Sequence, residues 1–180
     1  GALHFDRADV EPLPADVDFT LGAGLVMPGL TAWQGLFEHG RLRAGQTVLV
    51  HGAAGAVGSM ATQLARQAGA YVVGTGRAAH RQAALDFGAH EYLDLENETL
   101  KDAGGVDLFF DIFGGDIGKQ SAALVRAGGT LVTIAGPTEA RPANGLAIDF
   151  VVEADRIQLS EIVNRVREGR LRANIGTIST

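Results

Sequence analysis

One glycine-rich turn, set between an apolar strand and an amphipathic helix, constrains the fold of this chain more than any other feature. The strand is Thr47-Val48-Leu49-Val50, and the turn after it reads His51-Gly52-Ala53-Ala54-Gly55-Ala56-Val57-Gly58. Apolar residues then recur at the spacing of one helix face, at Val57, Met60, Ala61, Leu64, Ala65 and Ala68. A strand, a tight turn and a helix in this order predict a βα unit of a parallel sheet.

The same alternation continues along the chain. Further strands are predicted over 71–73, 91–94, 106–112, 130–135 and 147–152, with helices over 82–87, 117–125 and 159–166. An earlier helical stretch is predicted to break near Pro28-Gly29 and to restart from Leu30 to His39. This pattern predicts an α/β fold, a doubly wound Rossmann-type sheet of six parallel strands with helices on both faces. Residues 1–18 are predicted to be an extended lead-in, and 19–180 the folded domain.

Composition excludes several classes of protein. Hydrophobic residues make up 46% of the 180 and charged residues 20%, which is too apolar and too weakly charged for a disordered chain. The net charge of −6 does not favour a nucleic-acid or anionic-membrane partner. There is no membrane-length apolar run, no signal peptide and no cysteine, so we expect a cytoplasmic protein without disulfides or cysteine-ligated zinc.

The glycine turn resembles a dinucleotide-binding fingerprint in which Gly55 and Gly58 take the second and third glycine positions and Ala53 replaces the first. Gly55 has no Cβ and lets a diphosphate approach the backbone. The amides of Ala56 and Val57 open the helix, where unpaired N–H groups and the helix dipole favour an anion. The residues predicted to hold the diphosphate are Ala54, Gly55, Ala56, Val57 and Gly58. The alternative is a tight βα turn without a ligand.

The end of the second strand bears on which dinucleotide is bound. An NAD site usually places Asp or Glu there, about 20 residues beyond the turn, but this strand ends in Gly76-Arg77 without an acid. Arg77 and Arg81 stand where a 2′-phosphate would project, and a charge-assisted hydrogen bond contributes about 1.5–3 kcal/mol. The sequence therefore predicts a preference for NADPH, with Gly76, Arg77 and Arg81 as cofactor-binding residues. The alternative is that both arginines are solvated charges at the start of a helix.

Several other features are interpreted as structural. Residues 114–120 resemble a phosphate-binding loop, but the glycine spacing is one residue short and no Ser or Thr follows the lysine. Asn97-Glu98-Thr99 fits a glycosylation sequon, in a chain without a secretory signal. The histidines lack metal-ligand spacing. His51 is expected to bond a turn backbone group, with lining a site as the alternative. Asp111 is expected to cap turn amides, with a role as a buried functional acid as the alternative.

A set of short motifs runs through the chain in a fixed order. They are Gly29-Leu30-Thr31-Ala32-Trp33, the strand and turn over 47–58, Gly74 to Arg77, Gly88 to His90, Gly105 to Asp107, Asp111 to Gly115 and Ala127 to Val132. Together they resemble the medium-chain dehydrogenase/reductase superfamily, in its zinc-free quinone oxidoreductase branch. The resemblance covers the chain from about Leu13 to its end.

The resemblance implies an enzyme in two parts, a six-stranded NADPH domain and a GroES-like catalytic domain. This chain is expected to lack most of the second part and therefore to turn over nothing alone. The family passes a hydride from NADPH to quinones or α,β-unsaturated carbonyl compounds, so the implied substrate is a small molecule bound with the help of the missing domain. The family also implies a homodimer joined along the edge of the sixth strand, and an open edge strand is a natural pairing surface.

By position, the resemblance assigns residues around the ribose and the nicotinamide. They are Phe113 and Gly114 at the ribose, with Ile134, Ala135, Phe150, Val151 and Thr31 near the nicotinamide. No residue is predicted to be a general acid. No metal is expected, because Met27 stands about where zinc-dependent relatives carry a cysteine ligand.

Three alternatives stay open. Enoyl reductase domains of polyketide synthases also resemble this chain, although they carry a catalytic lysine after the fifth strand, where Gly136-Pro137-Thr138 stands here. A module that binds NADPH without catalysis is the second alternative. A Rossmann-like methyltransferase is the third, and it would want an acid where Gly76-Arg77 stands. About where many quinone reductases pack an aromatic residue on the adenine, this chain has Leu95.

Overall fold

The computed structural model describes residues 19–99, 104–114, 120, 122–136 and 142–173, and the side chains of the first helix from residue 26. The strands are β1 Thr47–His51, β2 Tyr71–Gly76, β3 Glu91–Asp94, β4 Val106–Asp111, β5 Val125–Thr133 and β6 Leu146–Asp149. Within the described ranges these six strands form one parallel sheet in the order β3-β2-β1-β4-β5-β6. The predicted six-stranded parallel sheet is confirmed.

Helices join the strands. They are α1 Phe19–Trp33, α2 Ala56–Gln67, α3 Arg81–Phe87 and α4 Arg156–Arg167, with a π-helix at Gln34–His39 and 3₁₀ turns at Ala78–His80 and Ala122–Leu124. The lead-in predicted over 1–18, and much of the helix predicted over 117–125, lie outside the described residues. No helix among the described residues has the length and apolarity needed to cross a bilayer.

The break predicted at Pro28-Gly29 is wrong, because α1 continues through Pro28. This helix packs against α2 and α4, and its Leu30 and Ala32 are fully buried. A Cβ on Gly29 would come within 2.8 Å of the Ile162 side chain, which shows how closely α1 and α4 approach. Burial on two sides thus outweighs the hydrogen bond that a proline removes. The irregularity comes later, where α1 passes into the π-helix.

The fifth strand begins earlier than predicted. Val125 already pairs with Val106, whereas Thr130 pairs with Leu108, so β5 carries extra residues between these two pairs. Gly128 lies within that irregular stretch with a φ of 81°, a conformation that glycine adopts without strain. Gly128 and Gly129, which follow the helix predicted over 117–125, therefore belong to a bulged strand.

The centre of the sheet is buried on both faces. Along β1, Val48 and Val50 belong to one apolar cluster and Leu49 to the cluster on the other side. The chain builds β1, β2 and β3 outward in one direction and then returns to place β4 on the other side of β1. In sheets of this kind a crevice opens at the carboxyl ends of the strands where the order reverses, here beyond β1 and β4.

A buried amide ties the π-helix to the segment after β6. The Gln34 side chain is 1% exposed. Its Nε2 donates to the Glu153 carbonyl at 2.7 Å and to Gln158 Oε1 at 2.8 Å, and its Oε1 accepts from the Glu153 N–H at 2.9 Å. Because one amide bonds both Glu153 and Gln158, Gln34 fixes the position of the segment leading to α4 against the π-helix.

We predict that Gln34→Leu destabilises the fold by about 2 kcal/mol, because it leaves the part-buried Glu153 backbone groups without their partner. Chemical unfolding followed by circular dichroism measures this loss. The matched control is Gln82→Leu, since among the described residues the exposed Gln82 amide bonds just the Asp86 carboxylate on the same helix, α3. An equal loss in both variants would contradict the assignment.

Candidate functional site

A cleft of about 540 Å³ lies at the carboxyl ends of the central strands, where the crevice was expected. We call it the switch-point cleft. Its lining comes from the glycine turn, from the segments after β2, β3 and β4, and from β1, β2 and β3 themselves. The lining residues are His51, Gly52, Ala53, Ala54, Gly55, Thr75, Gly76, Arg77, His80, Tyr92, Leu95, Glu96 and Phe113.

The glycines of the turn play different structural roles. Gly52 adopts a φ of 87° and donates its N–H to the Thr75 carbonyl at 2.9 Å, so this residue makes the tight turn. A Cβ on Gly58 would lie 1.8 Å from the Gly52 carbonyl oxygen, so Gly58 lets α2 pack against the turn. A Cβ on Gly55 would come no closer than 3.4 Å to that oxygen. The protein itself therefore does not require glycine at Gly55, and the space above it is open.

The first turn of α2 starts directly at this open position. Gly55 is the N-cap residue of α2, and the first helical hydrogen bond runs from the Ser59 N–H to the Gly55 carbonyl. Ala56 is exposed and Val57 is half-buried, and the N–H groups of a helix's first turn have no carbonyl within the helix to bond. Gly55 and the buried Ala54 line the cleft. The arrangement offers donors to an anion, which is what the sequence predicts for this turn.

The rim after β2 carries Arg77. The Tyr92 hydroxyl donates to the Arg77 carbonyl at 2.7 Å, and the His80 N–H donates to the same oxygen at 3.0 Å. Burial raises the pKa of Tyr92 to about 12, so its hydroxyl stays protonated and remains a donor. The Arg77 backbone is thus held twice, while its side chain is exposed and lines the cleft.

Arg81 is placed differently from Arg77. Its guanidinium pairs with Glu98 at 3.0 Å, donates to the Tyr92 carbonyl at 3.2 Å and lies over the Tyr92 ring. Arg81 is not among the described residues that line the cleft. Its predicted contact with a 2′-phosphate would require this ion pair to open.

Sequence reasoning missed the contribution of β3 to the cleft. Tyr92, Leu95 and Glu96 all line it, as does His80 on the 3₁₀ turn. β3 pairs with β2 so that Asp94 stands beside Gly76, which brings the segment after β3 to the same rim. The sequence did hold a signal for this contribution, because the carboxyl ends of neighbouring parallel strands meet at one edge of a sheet. Of the residues on β3 and after it, only Leu95 was placed near the cofactor, and that placement came from the family resemblance.

His51 joins β1 to its neighbours at the base of the cleft. Its Nδ1 is 2.8 Å from Thr75 Oγ1, and its ring meets the Phe113 ring edge to face. His51 therefore bonds a side chain and lines the cleft, instead of bonding a turn backbone group as expected. Burial lowers the pKa of His51 from its ordinary 6.5, and the Asp111 carboxylate offsets this in part. The fold therefore favours the neutral form of the His51 ring.

Asp111 caps the turn after β4. Its Oδ1 accepts from the N–H groups of Phe113 and Gly114 at 3.1 and 2.9 Å, as predicted. A Cβ on Gly114 would lie 2.8 Å from the Ala135 Cβ, so the segments after β4 and β5 touch at these two residues. The structure therefore brings together two of the residues assigned to the ribose and nicotinamide.

The other residues assigned to the nicotinamide side are more scattered. Thr31 is nearly buried and bonds the Met27 carbonyl within α1. Ile134 is half-buried, Phe150 packs on the His39 ring, and Val151 is 70% exposed. Of the residues assigned to the ribose and the nicotinamide, Phe113 is a described lining residue of the switch-point cleft and the others are not. The cofactor-binding roles of all of them stay predictions.

Comparison with known proteins decides the family. A family profile described as "Zinc-binding dehydrogenase" matches residues 56–164, which is more than half of the chain. The chain belongs to the zinc-binding dehydrogenase family. This confirms the resemblance to the medium-chain dehydrogenase/reductase superfamily. The zinc in the family's description does not fit the residues present, because the sequence has no cysteine and no cluster of three metal-ligating side chains occurs among the described residues.

Individual relatives are quinone oxidoreductases and polyketide synthases. Quinone oxidoreductase of Mus musculus is 35% identical over 150 residues, 77% of this chain and 45% of that protein. The structure of the quinone oxidoreductase from Coxiella burnetii matches with a TM-score of 0.83 at 28% identity, covering 90% of this chain and 53% of that one. The spectinabilin polyketide synthase system protein NorB of Streptomyces orinoci is 36% identical over 148 residues, 79% of this chain and 7% of that protein. The chain spans about half the length of the quinone oxidoreductases it matches.

We predict unequal stability effects for alanine at the two glycines of the turn. Gly58→Ala should cost about 3 kcal/mol, because the new methyl group meets a backbone oxygen that cannot move aside. Gly55→Ala should cost less than about 1 kcal/mol, the difference between two N-cap residues. Urea unfolding of both variants measures this, and a larger loss for Gly55→Ala would contradict the assigned roles of the two glycines.

We also predict that stability falls as the pH drops below about 6.5. The pKa of His51 is lower in the folded chain than in the unfolded chain. The contribution of His51 to the free energy of unfolding is therefore fully present above the pKa of the unfolded chain, and it declines at lower pH as the unfolded chain takes up a proton. Unfolding at pH 7.5 and at pH 5.5 measures the decline. His51→Gln should flatten it more than His90→Gln, because His90 is exposed although its pKa is also lowered by burial and by Arg66. An unchanged slope in His51→Gln would contradict this.

Proposed function

We propose that the chain is the NADPH-binding part of an oxidoreductase that transfers a hydride to a quinone or an α,β-unsaturated carbonyl compound. The observation that carries the proposal is the open space at Gly55, on the first turn of α2, in the same cleft as the exposed guanidinium of Arg77. The 35% identity to a quinone oxidoreductase supports the reaction class.

The adenosine half of the cofactor carries two phosphate groups. The glycine turn would hold the diphosphate, and the rim after β2 would hold the 2′-phosphate. The amides of Ala56 and Val57 would donate to the diphosphate, which approaches over the Cβ-free Gly55. Ala54 would line the cleft, and Gly58 would keep α2 packed against the turn. Arg77 would bind the 2′-phosphate, since its side chain makes no hydrogen bond or ion pair with the described residues, and Arg81 would follow only after leaving Glu98.

Bound NADPH would supply the hydride, and the chain would orient and shield it. Phe113 and Gly114 would flank the ribose, and Ala135 touches Gly114 on the side where the nicotinamide is predicted. Ile134, Phe150, Val151 and Thr31 remain proposed neighbours of the nicotinamide. No side chain of this part is proposed as a general acid.

The rest of the protein would complete the substrate site. The quinone oxidoreductases that match are about twice as long as this chain, so the substrate and the complete activity are proposals about the whole protein. A homodimer through the edge of β6 is also proposed, supported by Leu146, which is 62% exposed on that edge strand. A cytoplasmic location stays a prediction.

An enoyl reductase domain of a polyketide synthase is the second candidate. It is supported by the 36% identity to NorB over 79% of this chain. Against it stands Gly136-Pro137-Thr138, where those domains carry a lysine. Assaying the complete protein with a quinone and with an enoyl thioester would separate the two. An NADPH-binding module without catalysis would act on neither.

We predict that NADPH raises the melting temperature of the chain more than NADH does, because its extra phosphate meets Arg77. Arg77→Ala should weaken NADPH binding about tenfold and leave NADH binding nearly unchanged. Thermal shift and calorimetric titration measure both effects. Gly55→Ala serves as the control, since it should weaken both cofactors alike at the shared diphosphate.

Equal stabilisation of the parent chain by NADPH and NADH would contradict the role of Arg77. Binding of neither cofactor would contradict the proposal as a whole.

A further inference from the structure

A second side chain that can carry a positive charge stands beside Arg77. The 3₁₀ turn Ala78–His80 is closed by a hydrogen bond from the His80 N–H to the Arg77 carbonyl at 3.0 Å. Arg77 is the N-cap residue of this turn, so only two residues separate it from His80 along the chain. Both side chains are exposed and both line the switch-point cleft.

The other described charged side chains near this rim are either paired with an opposite charge or negative. Arg81 pairs with Glu98, whereas the His80 ring makes no hydrogen bond, ion pair or ring contact with the described residues. Glu96 lines the cleft on the β3 side and would repel an anion there. Among the described side chains, Arg77 and His80 are therefore the two that remain available to neutralise a phosphate monoester at this rim.

We propose that His80 is a specificity-determining residue that binds the 2′-phosphate of NADPH together with Arg77. This inference rests on the proposed function. A phosphate monoester presents three oxygens and close to two negative charges near neutral pH, and a guanidinium fork occupies two of those oxygens. His80 donates to the third from the neighbouring turn position.

The assignment makes the cofactor preference depend on pH. Imidazole is the side chain that ordinarily gains its charge between pH 8 and pH 6. The ionisable groups that line the cleft together with His80 are Arg77 on its own turn, His51 on β1, Tyr92 on β3 and Glu96 after β3, and the Arg81–Glu98 pair joins α3 to that last segment. Burial raises the pKa of Tyr92 to about 12 and lowers the pKa of His51 from its ordinary 6.5, so both of these groups favour their neutral forms above pH 6.5.

The test is the ratio of the NADPH and NADH dissociation constants of the full chain, measured by calorimetry in a phosphate-free buffer at pH 8 and at pH 6.5. In the parent chain we expect the preference for NADPH to rise about threefold to tenfold from pH 8 to pH 6.5, since a charge is added to the hydrogen bond between the His80 ring and the 2′-phosphate. In His80→Gln the preference should be lower at pH 6.5 and nearly independent of pH. In His80→Lys it should be high at both values.

Glu96→Gln is the matched control, because it removes a charge from the same rim without removing the titrating group. It should raise NADPH preference at both pH values and keep the dependence on pH. If NADPH is bound in preference to NADH but His80→Gln behaves as the parent chain does at both pH values, the role of His80 is wrong while the proposed function stands. If neither cofactor binds, both fall.

Discussion

The structure depends on the contact between the start of α2 and the turn that precedes it. With only a hydrogen atom at Gly58, the helix comes so close that a Cβ there would lie 1.8 Å from the Gly52 carbonyl oxygen. The left-handed backbone of Gly52 and its bond to the Thr75 carbonyl hold the turn against β2. This close packing brings the first turn of α2, with its unpaired amides, to the carboxyl edge of the sheet, and the proposed anion site rests on that backbone geometry.

The neighbouring strands build the rim around that anion site. The Tyr92 hydroxyl reaches from β3 to the Arg77 carbonyl at the end of β2, and a Cβ on Gly76 would lie 2.7 Å from the same hydroxyl oxygen. The Arg81–Glu98 pair connects α3 to the segment after β3. Backbone contacts thus position Arg77 and His80, and their side chains stay available to a ligand.

Sequence patterns predicted the parts of the fold that depend on local periodicity, namely the apolar runs of β1 and β4, the helix face of α2 and the glycine turn. They failed where packing overrides local preference. Pro28 lies inside α1 because that helix is buried against two others, and the stretch that resembles a helix end before Thr130 is a bulged strand, since its pairing partner lies on β4. Of the cofactor-binding residues predicted from the sequence, the cleft is lined by Ala54, Gly55, Gly76, Arg77 and Phe113, whereas Gly58 packs α2 against the turn and the nicotinamide side rests on the family resemblance.

The sequence by itself determined the class of fold and the glycine turn, because both follow from the spacing of apolar residues and glycines over a few neighbouring positions. Only the tertiary structure decided which charges face the cleft. Arg77 and Arg81 look equivalent in the sequence, yet Glu98 neutralises one of them and the other stands exposed next to His80. That difference depends on the register of β3 against β2, a pairing between distant segments that no local pattern encodes.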